Sequence, residues 1–81
     1  MTVRADLPIR RRISDGSMRE DKIRCYAETQ EAAMNCLRRS VATANKGKDP
    51  RFPSVEIAGR PVFSAIEMPL ADAIINDERA V

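Results

Sequence analysis

The sequence predicts a small α+β domain: a four-stranded, mostly antiparallel sheet with two helices on one face, in the order ββαββα. Three observations predict it. Apolar residues alternate with polar ones in short runs bounded by turn residues, the mark of half-buried strands. Two longer runs, 30–46 and 69–80, place apolar residues at helical spacing instead. The chain has 81 residues, 43% hydrophobic and 32% charged, an ordinary globular balance for one small domain. Residues 1–81 are therefore read as a single domain. Residues 1–20 are read as part of the sheet, with an edge hairpin or an extended arm outside the fold as the alternatives.

The first strand is expected over Leu7–Ile13, with Leu7, Ile9 and Ile13 on one face. Arg11 falls on that same face, and an inward-pointing charge suggests an edge strand or a bulge. Ser14-Asp15-Gly16-Ser17 reads as a turn, because Asp-Gly suits positive φ. The second strand, Lys22–Glu28, turns Ile23, Cys25 and Ala27 one way and Arg24, Tyr26 and Glu28 the other. Met18–Asp21 is read as a loop or a bulged continuation of it.

Thr29 is placed to cap a helix running from about Gln30 to Lys46, and Glu31 favours its first turn. Ala33, Met34, Leu37, Val41 and Ala44 fall within an arc of about 100°, the width of a helix lying on a sheet. Gly47 should end it as the residue after the cap. Lys48–Pro53, with Pro50 and Pro53, is a loop. Val55–Ala58 and Val62–Ile66 then read as a hairpin, with Gly59-Arg60 as a type II′ turn. The second strand of that hairpin is apolar on both faces for most of its length and is expected inside the sheet. Pro69 suits the first position of a last helix, 69–80, with Leu70, Ala71, Ile74 and Val81 as its apolar stripe, Ile75 beside it, and fraying after Glu78.

Composition excludes most enzymology. There is no His and no Trp, and the chain has a single Tyr. Cys25 and Cys36 match no zinc spacing, and nucleophilic use of either would need a base that is missing. They are read as reduced core thiols. Glu20 with Asp21, and Asp77 with Glu78, are adjacent acids on solvated segments rather than a cleft pair. No catalytic residue, metal site or cofactor is expected. No apolar stretch is long enough to span a membrane, and the N-terminus has no apolar core of a secretory signal, so a cytoplasmic protein is expected.

Charge is unevenly spread. Residues 1–51 hold 12 Lys/Arg and 7 Asp/Glu, whereas residues 52–81 hold 2 and 5, within an overall net charge of +2. Arg10, Arg12, Arg24 and Tyr26 should share one outer face of the sheet, and Arg38 and Arg39 the exposed side of the long helix. These six are the candidate partner-binding residues, since Arg and Tyr dominate binding hot spots. The expected function is stoichiometric protein–protein contact without turnover. Small cofactor-free chains of this kind are often phage- or plasmid-type inhibitors or modulators of a nucleic-acid-handling host machine, anti-CRISPR proteins being one example. Two mechanisms would serve: Glu67, Asp72, Asp77 and Glu78 imitating phosphates, or the Arg-bearing strands gripping an acidic protein surface. One alternative is a nucleic-acid-binding accessory protein that uses the basic half, although Asp15, Glu20, Asp21, Glu28 and Glu31 interleave with its cations. The other is a self-associating homodimer. No motif resembles a particular family.

Overall fold

The computed structural model describes residues 1–79, and the side chains of residues 1–76. The elements are β1 (Thr2–Arg12), β2 (Met18–Ala27), α1 (Gln30–Asn45), β3 (Val55–Ile57), β4 (Val62–Ile66) and α2 (Leu70–Arg79). They form the expected ββαββα domain with a four-stranded antiparallel sheet.

β1 is the centre of the sheet, neither an arm nor an edge. It is longer than expected and pairs with β2 along ten positions, from Val3 opposite Ala27 to Arg12 opposite Met18. The connecting turn is the one expected from Asp15-Gly16. Asp15 accepts from the Ser17 amide at 2.8 Å and the Ser17 hydroxyl at 2.6 Å, and Gly16 takes φ +86°.

The expected β3–β4 hairpin does not form. Both strands pair with the same side of β1, end to end: Ile57 opposite Ile9, then Val62 opposite Asp6. They are two pieces of one interrupted edge strand, so β4 is an edge and not an interior strand. Gly59 has no positive φ and makes no II′ turn. The cause of the interruption lies across the ladder, at Pro8. The Ala58 amide donates to the Pro8 carbonyl at 2.9 Å, but Pro8 has no N–H to return the bond. Four residues, 58–61, then face only Leu7 and Pro8 before pairing resumes two positions out of register.

Side-chain alternation gives β1 two faces. Ala5, Leu7 and Ile9 are buried beneath α1, which supplies Ala33 and Leu37. Met34, Val41 and Ala44 pack around them as the periodicity predicts. Thr29 caps α1, its side chain accepting from the Ala32 amide at 3.1 Å, and Gly47 follows the Lys46 cap at φ +76°. Arg11 points to the same face as Ile9 but is exposed beyond α1, and its Nε donates to Asp21 at 3.0 Å. An overhang of the sheet past the helix, and not an edge position, explains that charge.

The other face carries Thr2, Arg4, Asp6, Arg10 and Arg12. Helix α2 packs over one end of it. Ala73 and Asn76 line a hollow with Arg4, Arg24 and Tyr26, and the buried Thr2 hydroxyl donates to the Met68 carbonyl at 2.7 Å. The helices therefore lie on opposite faces and do not share one. α2 buries Ala73, whereas the expected stripe members Ala71 and Ile74, with Ile75, are exposed. Val81 and the expected fraying after Glu78 lie outside the described residues.

Candidate functional site

The sheet face opposite α1 gathers four of the six candidate residues, because Arg10, Arg12, Arg24 and Tyr26 all sit at alternate positions of β1 and β2. Neighbours, however, already engage Arg24 and Arg12. Arg24 Nε donates to Asp6 Oδ1 at 2.6 Å, and Arg4 Nε lies 3.4 Å from Asp6 Oδ2, buried and without a hydrogen bond. Arg10 stands opposite Glu20 on β2 and Glu56 on β3. Arg12 is tied to backbone: its Nε donates to the Pro53 carbonyl at 3.2 Å and its Nη1 to the Gly16 carbonyl at 2.9 Å. Its guanidinium lies 5.7 Å from the centroid of Phe52, with Arg51 at 5.9 Å from the same ring. Arg51 is also paired with Asp49 at 3.0 Å, which holds that carboxyl below its usual range. On this face Arg24 and Arg12 are held by internal pairs, whereas Arg10 is exposed.

Arg38 and Arg39 leave α1 in different directions. Arg39 lies beside Cys36 and Ser40 on the β2 side. Arg38 lies on the opposite flank, where α1 meets the interrupted edge strand. There the structure opens an apolar cleft of about 410 Å³ between α1 and the break in the β3–β4 edge. Leu7, Leu37, Val41, Ile57 and Pro61 line it, and Arg38 and Arg60 are its charged members. It continues past Met34, Arg38 and Pro61 into a second hollow of about 450 Å³ that reaches Gln30, Glu31 and Phe63. The combined groove follows α1 from residue 30 to 42, about 18 Å at 1.5 Å per residue.

The groove exists because of two offsets. α1 packs mainly on β2 and β1 and leaves the β4 side of its face thinly covered. Regular pairing with β1 lapses over residues 58–61, which leaves the edge interrupted where it runs beside the helix. As a result Ile57, which faces the same way as the core residue Ile9, is 61% exposed. Among the described residues no carboxylate lies within ion-pair distance of Arg38 or Arg60.

Both cysteines are free, Cys25 buried and Cys36 half-buried. Burial, then the neighbouring Cys36 thiol, pushes the Cys25 thiol up to about 11, so it is protonated and a poor nucleophile. Among the described residues no three Cys, Asp or Glu side chains converge as a metal site, and no helix is long and apolar enough to cross a membrane.

The sequence singled out Arg38 but not Ile57, Arg60 or Pro61, which complete the groove. The available signal was Pro8: a proline inside an alternating strand forecasts a break in whatever pairs with it. No protein-family model matches the chain, and no curated protein or solved structure is found to be similar to it.

Proposed function

We propose that this chain is a non-enzymatic binding domain that acts by stoichiometric protein–protein contact, and that the contact is made in the groove between α1 and the interrupted edge. The observation that carries this reading is the uncovered apolar floor of that groove, with Ile57 exposed and two arginines that form no ion pair among the described residues. A recessed apolar strip with an Arg rim is the ordinary form of a protein-recognition surface. The competing nucleic-acid reading loses support on the opposite face, where Asp6 pairs with Arg24 and Arg4 and two carboxylate residues, Glu20 and Glu56, stand opposite Arg10 in the ladder. Inhibition or modulation of a nucleic-acid-handling machine is one form such contact can take, by occupying a surface that the machine needs.

The test is retrieval of partners from cell extract by the tagged chain, run in parallel with Ile57→Asp and Arg10→Ala. The expected result is a protein held by the parent and by Arg10→Ala and lost with Ile57→Asp. Partners held equally by all three chains, or none above background from a chain that also stays monomeric, would overturn the reading.

A further inference from the structure

Two apolar surfaces on this chain are exposed and similar in length, one flanked chiefly by arginines and the other by acids. The groove is a trough on the α1 side of the sheet, where the sequence pattern called for a second helix and the fold supplies none. Helix α2 is that missing helix by pattern, but it sits on the other face and turns its own stripe outward. Ala71, Ile74 and Ile75 lie at i, i+3 and i+4 and share one side, with Ile74 and Ile75 exposed by 42% and 46%. Ala73, on the opposite side of the helix, is the residue that is buried. Asp72 is exposed within the first turn, and the helix sequence contains two more acids, Asp77 and Glu78, whose side chains lie outside the described residues. The groove offers Arg38 and Arg60 along its deeper part, with Glu31 at the far end.

We infer that the groove receives helix α2 of a second copy of this chain, so that each molecule completes the other's α1-side layer. The inference rests on the reading of the groove as a protein-contact surface. Length agrees: α2 has ten residues, about 15 Å, against the 18 Å of groove. An extended segment is a poorer occupant. Pro61 has no N–H, and residues 58–61 have left the ladder, so the edge beside the groove offers no continuous template for a strand. A twofold arrangement makes the same exchange twice, which gives a closed dimer and not a filament.

Sedimentation over a concentration series tests it. The expected result is a mass that rises from 9.0 kDa towards twice that value as concentration increases. Ile75→Asp removes the α2 surface, and Ile57→Asp removes the groove surface. Each alone weakens dimerisation by about tenfold or more, because a charge is placed in an apolar contact. Both positions are exposed in the monomer, so circular dichroism should show an unchanged fold. Mixing the two variants restores one of the two contacts, since the intact α2 of one meets the intact groove of the other. The mixture therefore dimerises more strongly than either variant alone. A dimer indifferent to both substitutions, or a mixture no stronger than its components, overturns the inference. A chain that stays at 9.0 kDa at every concentration, yet loses a retrieved partner on Ile57→Asp, overturns the second-copy assignment and leaves the binding groove standing.

Discussion

The side-chain amide of Asn45 pairs with the backbone of Val55 as a neighbouring strand would. Its Nδ2 donates to the Val55 carbonyl at 2.9 Å, and its Oδ1 accepts from the Val55 amide at 2.9 Å. Val55 is buried at the outer edge of the sheet, where both groups would otherwise lack partners. One residue at the end of α1 thus fixes the helix to β3 and closes that stretch of edge.

Asn45→Ala should therefore lower stability by about 1–3 kcal/mol, the cost of leaving buried polar groups unmet. Urea denaturation measures the loss. Hydrogen exchange at the Val55 amide should accelerate more than at the Ile23 amide on the far side of β1. Equal acceleration at both would mean that the amide pair contributes nothing local.

Asp6→Asn should also destabilise the chain. Asp6 lies between Arg24 at 2.6 Å and Arg4 at 3.4 Å, all three partly shielded from water. Removing its charge leaves two cations facing each other, for a loss of about 1.5–3 kcal/mol. Added salt screens that repulsion, so the gap between parent and variant narrows as ionic strength rises. A gap independent of salt would point to packing instead of charge.

Acid should reveal the pair between Arg11 and Asp21. The Arg11 side chain, followed by the Lys22 amide, holds the Asp21 carboxyl below its usual range. A depressed folded value stabilises above the unfolded value and is lost as pH falls through the folded one. Asp21→Asn should therefore cost less than about 1 kcal/mol near neutrality, as expected for an exposed pair. The two chains should begin to converge as pH falls below about 4 and meet only below the folded value. Thermal melts across that range check the convergence.

Cys25 should resist alkylation in the folded chain at mildly alkaline pH and react quickly once unfolded. Its folded value, about 11, lies above that of a free thiol. The sign follows from that order. Stability is unaffected by this group at neutral pH and falls as pH rises from the unfolded value towards 11, where only the unfolded thiol has ionised. Iodoacetamide labelling followed by peptide mapping reads this directly.

Local signals were legible in the sequence, and signals set by distant residues were not. The limits of α1 followed from Thr29 and Gly47, and its buried side from a stripe that any helix would present. The Asp15-Gly16 turn was equally local. The false hairpin arose because Gly59-Arg60 has the spacing of a tight turn. What decides the pairing there is the length of β1, and Pro8 near its middle concealed that length. The apolar stripe of α2 is visible in its sequence, but no window of sequence states which surface covers it. The shared face of Arg10, Arg12, Arg24 and Tyr26 followed from alternation. Their partners, at Asp6, Gly16 and Pro53, did not, since they lie at other points of the chain. The groove had no local trace, because it is the space left by a helix and a strand that fail to meet.

Pro8 has a consequence for design. Supplying an amide at that position would return one hydrogen bond to Ala58 and lengthen the ladder by a single rung. The two surplus residues of 58–61, Pro61 among them, would still arch off β1. The five-membered ring is thus only the latch, and the spare length across from it is the hinge. An engineer who wished to seal the molecule would have to shorten that segment as well as replace the eighth residue.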